Sequence, residues 1–270
     1  MSMGKTRIGI TDSLRDKWVK QFKLKEQAGN YEAFLRTQDV SSHGFRSRVP
    51  CVFENKRFYH TMSFNETLTL TELLHDHEVT EIKEQYPFTD IDKSRAFAEE
   101  LGIKHPRYFG TSVDSIITWD FLCTLTGGKK RVVSVKPKAL LEDKRTKEKL
   151  ILEEALAKSM GYEFKVTTDE DVRTEKIRNI IRCVRGAVLT VELQSIYAKW
   201  LSSFFKKIKK NNYEELNVTI SELADKYKIS YVKSFTLMQR GFWVKDITSD
   251  HSLPLRPDST PFFMGVERNV

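Results

Sequence analysis

The sequence predicts a two-part fold: a mixed β-sheet flanked by helices, then a second, mostly helical unit. Three observations carry this. Helical and strand-like periods alternate between residues 11 and 167, the pattern of a layered α/β structure. The pair Gly127-Gly128 separates two runs rich in β-branched and aromatic residues, 116–125 and 132–135, and marks a hairpin. Beyond Thr168 the spacing turns helical, with no strand pattern before Phe242.

The elements follow in order. Residues 11–25 put Leu14, Trp18, Phe22 and Lys25 on one side of a helix, with Thr11 or Asp12 as its cap. Residues 48–53 and 57–61 flank the turn ENK and read as a short hairpin. A helix from Ser63 to about His75 uses Phe64, Leu68 and Leu73 or Leu74 as its apolar stripe. Residues 82–107 are mixed, with Pro87, Asp90 and Pro106 marking turns around a short helix at 91–101. After the glycine hairpin a long helix spans 142–159, stopped by Gly161, and 162–167 alternates as a strand. Residues 169–185 and 191–209 are helical, and the boundary near Thr168 gives domains of 1–168 and 169–270.

The stretch TISELADKYKISYVKSFTLMQRGFWVKDI has its own grammar. Ile220, Leu223 and Ala224 share one helix face, a turn lies at 226–230, a second helix runs from Tyr231 to Gly241, and a strand follows at 242–247. Helix, short turn, helix and β-ribbon is the winged-helix arrangement, whose second helix enters a major groove in many DNA-binding proteins. Lys228, Lys233 and Arg240 are then the candidate phosphate contacts, and Tyr231 and Gln239 the candidate base contacts. The same arrangement also serves as a protein-docking module.

Composition narrows the class. Of 270 residues, 40% are hydrophobic and 30% charged, an ordinary globular balance. No apolar run reaches membrane-spanning length and the polar N-terminus has no signal-peptide core, so a cytoplasmic protein is expected. The three cysteines are far apart, which argues against a disulfide framework or a paired-cysteine zinc site. The net charge of +8 hints at a polyanionic partner, and no tail owns it: residues 1–168 carry 28 basic and 24 acidic side chains, the remainder 17 and 13. The run KKIKK at 206–210 is either a phosphate contact or a solvated helix end. His75, Asp76 and His77 read as an exposed cluster rather than a metal site. No phosphate-binding GxxxxGK[ST] or dinucleotide GxGxxG is present, so the chain itself is not expected to hydrolyse ATP.

The hairpin raises a chemical question, since the strand VVSV ends in Lys136. A turn centred near Gly128 sets Asp120 opposite Lys136, as an ordinary cross-strand salt bridge or as part of a site. SFNE at 63–66 is a capping box with Glu66 at its third position, and such a glutamate can also aim at a sheet edge. A helix Glu, a strand Asp and a Lys two positions past the next strand's polar residue form the PD-(D/E)xK nuclease pattern.

IKEQYP, GIKHP, WDFL and VKPKALLEDKRTKEKLILE come in the order and spacing of a known family. Over residues 12–168 the chain resembles the TnsA-type endonuclease subunits of Tn-seven-like heteromeric transposases; the last third matches that family's second domain more loosely. The resemblance implies a restriction-endonuclease-like fold. It also implies Glu66, Asp120 and Lys136 as catalytic residues, and Mg²⁺ (or Mn²⁺) held by Glu66, Asp120 and the backbone carbonyl of Val135. Ser134 stands where the family has Gln or an acidic residue and is a weaker ligand, and Glu153 falls on a family position near the site. The implied activity is nicking of the 5′ strands of double-stranded DNA at transposon ends. The implied partners are a transposase subunit, TnsB, and an AAA+ regulator, TnsC, the latter meeting the C-terminal domain or residues 253–270. No membrane is involved in that reading. The alternatives are a stand-alone restriction-type nuclease or junction resolvase, and a DNA-binding scaffold with a degenerate nuclease fold.

Overall fold

The computed structural model describes residues 9–39, 45–51 and 57–269. The chain divides into two compact units, 1–172 and 173–270. The division falls after Val172 rather than Thr168, because the short helix over 169–172 packs on the helix that starts at Phe64.

The first unit runs α1 (Asp12–Gln27), β1 (Ser47–Pro50), β2 (Phe58–Thr61), α2 (Phe64–His75), β3 (Val79–Phe88), α3 (Ile91–Glu100), β4 (Ile117–Leu125), β5 (Lys130–Val135), α4 (Lys144–Ser159), β6 (Glu163–Thr167) and α5 (Asp169–Val172). Strands β3, β4, β5 and β6 form one mixed sheet in that order, antiparallel except for the parallel β5–β6 pair, and β1 and β2 form a separate hairpin. The turn joining β1 to β2, including ENK, lies outside the described residues. A parallel pair requires a crossover, and α4 supplies it.

Capping explains the helix starts. Thr11 accepts from Leu14 N–H, Ser63 from Glu66 N–H, Asp90 from Lys93 N–H and Asp143 from Thr146 N–H. The structure departs from the sequence reading at β3, ten residues long and continuing through Pro87. Proline cannot donate to a ladder, but β3 is an edge strand of the sheet, where that loss is tolerated.

Two apolar clusters sandwich the sheet. One joins Tyr59, Leu70, Leu73, Ile82, Phe121 and Val133; the other joins Phe88, Trp119, Leu122, Val132, Leu152 and Leu156. Alternate strand residues normally share a face. Here Ile82 lies in the first cluster while Tyr86 packs on the second, and Phe121 lies in the first while Trp119 lies in the second. The alternation therefore slips at the level of Gln85 and Asp120.

The second unit contains α6 (Glu175–Cys183), α7 (Val191–Lys210), α8 (Leu216–Tyr227), α9 (Tyr231–Trp243), β7 (Ile247–Thr248) and β8 (Glu267–Arg268), around Trp200, Phe204, Leu216, Ile220, Leu223 and Leu237. Lys228, in the left-handed conformation, ends α8 and turns the chain into α9. The helical reading of 169–185 breaks at residues 173–174, with Thr174 capping α6. The strand expected at 242–247 is corrected: α9 continues through Phe242 and Trp243, and only Ile247 and Thr248 pair, with Arg268 and Glu267. Trp243 is buried on the helix, and this packing outweighs the strand preference of its neighbours. Among the described residues no helix is long and apolar enough to cross a membrane.

Candidate active site

The β4–β5 register corrects the hairpin arithmetic. Phe121 pairs with Val133 and Leu122 with Val132, so the ladder extended by one step sets Ser134, not Lys136, across from Asp120. The turn closes with Leu125 N–H donating to the Lys129 carbonyl, one residue nearer the N-terminus than a centre at Gly128. The contact nevertheless forms, since a diagonal neighbour lies within reach of a long side chain. Lys136 Nζ donates to Asp120 Oδ2 at 3.2 Å, to Ser134 Oγ at 3.0 Å and to the Val135 carbonyl at 3.2 Å.

Asp120 is fixed from a second direction by Val135 N–H, 2.6 Å from the same Oδ2. Glu153 arrives from α4. It is buried, and Ser134 Oγ donates to its Oε2 at 2.6 Å, while its backbone carbonyl accepts from Trp119 Nε1 at 3.3 Å. Glu66 arrives from the first turn of α2 through the capping box: its N–H donates to Ser63 Oγ, and its carboxylate reaches back to accept Met62 N–H at 2.8 Å. Gln85 Nε2 also donates to Glu66 Oε2, at 3.2 Å.

The electrostatics tie these groups together. Burial, and then the charge of Asp120, push the Glu66 carboxyl up to about 8, with Lys136 pulling the other way. Burial raises the Glu153 carboxyl too, against the pull of Lys136. For Lys136 burial favours the neutral amine, but Asp120, Glu153 and Glu66 outweigh it and hold the ammonium above the ordinary lysine range. Carboxylates thus converge on one ammonium, a surplus of acceptor oxygen that invites a hard cation. No group of three or more His, Cys, Asp or Glu among the described residues could enclose a metal by itself. Mg²⁺ does not need one, since it is commonly held by one or two carboxylates with water and substrate phosphate completing its shell. Glu66 and Asp120 fit that requirement; the Val135 carbonyl adds an oxygen that is engaged by Lys136 here. Ser134 is fully buried and its hydroxyl serves Glu153 and Lys136, so its place is the lysine's support.

The candidate DNA contacts of the second unit fare unevenly. Lys228 is exposed and Tyr231 is exposed and stacked on Phe235. Lys233 pairs with Glu192 at 2.8 Å. Arg240 and Gln239 are corrections: Arg240 donates to the carbonyls of Ala187 (2.7 Å) and Gly186 (3.3 Å), and Gln239 is buried with its amide on the Arg182 carbonyl. Both are spent on packing α9 against its neighbours, which is invisible to helical spacing. The site residue that sequence reasoning missed is Gln85. It lies inside the motif IKEQYP, but no periodicity distinguishes it from the exposed positions of an edge strand.

Two comparisons complete the description. Residues 76–169 match the family model described as the TnsA-like endonuclease N-terminal domain. Over 182 residues the chain is 29% identical to the transposon Tn7 transposition protein TnsA of Escherichia coli, a match that covers 66% of this chain and 64% of that protein. Asp120, Lys136, Ser134, Glu153 and Gln85 all fall within the matched segment, with Glu66 ten residues before it. Through residues 76–169 the chain is similar to the N-terminal domain of TnsA-like endonucleases.

Proposed function

We propose that this protein is a divalent-metal-dependent DNA endonuclease that cuts the 5′ strands at transposon ends, working with a separate transposase subunit of the TnsB kind and a TnsC-like AAA+ regulator. The observation that supports this reading most is the convergence of Glu66, Asp120 and Lys136 from a helix start and two strands, with the Glu66 carboxyl and the Lys136 ammonium both shifted upward in that setting. In this reading the N-terminal unit is a restriction-endonuclease-like domain and the C-terminal unit a winged-helix-like module for DNA or protein.

Glu66, Asp120 and the Val135 carbonyl would hold the cation. When bound there, Mg²⁺ or Mn²⁺ would supply a more acidic water and Lewis-acid relief of charge on the phosphate. Lys136, kept protonated by its three carboxylate neighbours, lies where it can neutralise charge developing on the scissile phosphate and orient the attacking water. Asp120 fixes that ammonium at 3.2 Å, and Ser134 and Glu153 brace it from behind. Lys228 and Tyr231, on the exposed turn and helix start of the second unit, are the remaining candidates there for contact with DNA.

The test is strand-resolved cleavage of a labelled transposon-end duplex with Mg²⁺ or Mn²⁺ and the cognate partner transposase. Wild type should cut the 5′ strand, and Asp120→Asn and Lys136→Ala should lose that cut while the 3′ cut persists. Unchanged 5′ cutting in both variants would reduce the cluster to a structural salt bridge. Sequence-specific cutting without any partner would favour a stand-alone restriction-type nuclease.

A further inference from the structure

Gln85 violates a local rule. It stands inside β3 with φ at 49°, in the left-handed region that strands exclude and side chains other than glycine seldom adopt. Such conformations persist where their surroundings over-determine them, and they gather at functional sites.

The surroundings are specific. On one side the fully buried Glu84 carboxylate pairs with the Arg57 guanidinium and accepts His60 N–H at 3.3 Å, while its backbone carbonyl accepts the Tyr31 hydroxyl at 2.5 Å. On the other side Tyr86 stacks on Trp119, with ring centroids 6.3 Å apart and planes 6° from parallel. Both flanks of Gln85 are therefore anchored, and they are anchored to opposite faces of the sheet where the strand's alternation slips.

The slip sets one side chain in place. Glu84 pairs with Phe121 and Tyr86 with Trp119, so Gln85 lies level with Asp120 on the neighbouring strand. Only 4% exposed, it donates its amide to Glu66 Oε2 at 3.2 Å. Glu66 comes from α2, outside the sheet, and Gln85 ties its carboxylate to the strand that flanks Asp120. A regular β3 would continue its alternation and carry this side chain elsewhere.

Building on the reading of a divalent-metal site, we propose that Gln85 is a positioning residue that fixes the Glu66 carboxylate beside Asp120 and so sets the affinity for the cation. A carboxylate ligand is ordinarily itself hydrogen-bonded, and losing that support costs ten- to a hundred-fold in metal affinity or activity.

The experiment measures Mn²⁺ binding to the full chain without DNA, by electron paramagnetic resonance at fixed pH, with thermal unfolding in parallel. Gln85→Met keeps the length of the side chain but has no donor. Gln85→Asn keeps an amide one methylene short of Glu66 and tolerates the left-handed backbone, so it carries the test on a folded chain if the methionine variant fails to fold. Thr69→Val serves as the comparison, because buried Thr69 on α2 donates its hydroxyl to the Asn65 carbonyl. Both Gln85 variants should bind Mn²⁺ about ten-fold more weakly, and Thr69→Val should lose melting temperature but keep its affinity. Unchanged affinity in the Gln85 variants overturns the proposal, as does an equal loss in Thr69→Val. Failure of the wild type to bind Mn²⁺ at all would remove the metal-site reading and this inference with it.

Discussion

Glu66→Gln should stabilise the metal-free protein while removing its cut. The wild-type carboxyl is held up to about 8, against an ordinary 4.5, because burial and Asp120 both oppose its charge. The sign follows from linkage. A carboxyl with a raised folded-state value binds its proton more tightly when folded, so its contribution is fully present below about pH 4.5 and is lost as pH climbs toward 8. At about 1.36 kcal/mol per pH unit the separation sets a ceiling near ~5 kcal/mol, which movement of the acidic pair apart lowers to the order of 2 kcal/mol. Glutamine keeps an oxygen for Met62 N–H and never ionises. By calorimetry in EDTA, Glu66→Gln should melt roughly 4–8 °C above wild type at pH 8 and together with it at pH 4. Mg²⁺ at pH 8 should raise the wild-type melting temperature and leave the variant where it was, since only a ligand that binds the folded state shifts it. A variant less stable than wild type at pH 8, or a gap that does not change with pH, would refute the reasoning.

Other substitutions divide chemistry from scaffolding. Asp120→Ala should destabilise by about 1–3 kcal/mol more than Asp120→Asn in denaturant titrations, because it strips the acceptor from Val135 N–H, although both lose cleavage. Ser134→Ala should slow cutting several-fold and cost about 1–2 kcal/mol, since it removes the hydroxyl shared by Lys136 and the buried Glu153. Arg57→Met should cost about 3 kcal/mol by stranding the Glu84 carboxylate, read as a lower urea midpoint. Gly186→Ala should unfold the second unit selectively: a Cβ there would meet the Arg240 backbone nitrogen at 2.2 Å, and the rigid α9 cannot yield. Circular dichroism with limited proteolysis would register it.

What the sequence disclosed followed from how local each signal was. Ser63 announces a helix start through chemistry confined to three residues, and that start stands in the structure, whereas the helix expected from Glu142 begins at Lys144, capped by Asp143. Lys136 and Asp120 were legible because one hairpin joins them, although the register was displaced by two residues, since two adjacent glycines leave the turn's centre ambiguous. Glu66 was singled out through its capping box and the family resemblance, not through any pattern that shows where its carboxylate goes. Gln85 was hidden because its conformation is imposed by Arg57, Tyr31 and Trp119, which lie 28 to 54 positions away in the chain. Arg240 and Gln239 misled because a helix's outward periodicity cannot show which carbonyls wait beside it.

The hairpin of β1 and β2 has a role that concerns other molecules. β3 is an edge of the main sheet, and an edge of ten residues is a template on which a second chain could add a strand. Arg57 and His60 reach from the hairpin to Glu84 in the middle of that edge, Pro87 removes one of its donors, and the bend at Gln85 spoils its straightness. The irregularity that shapes the site thus doubles as protection against self-association. A chain weakened at Arg57 would then betray itself first in a crowded solution, by sedimenting as multimers, before any failure to cut was seen.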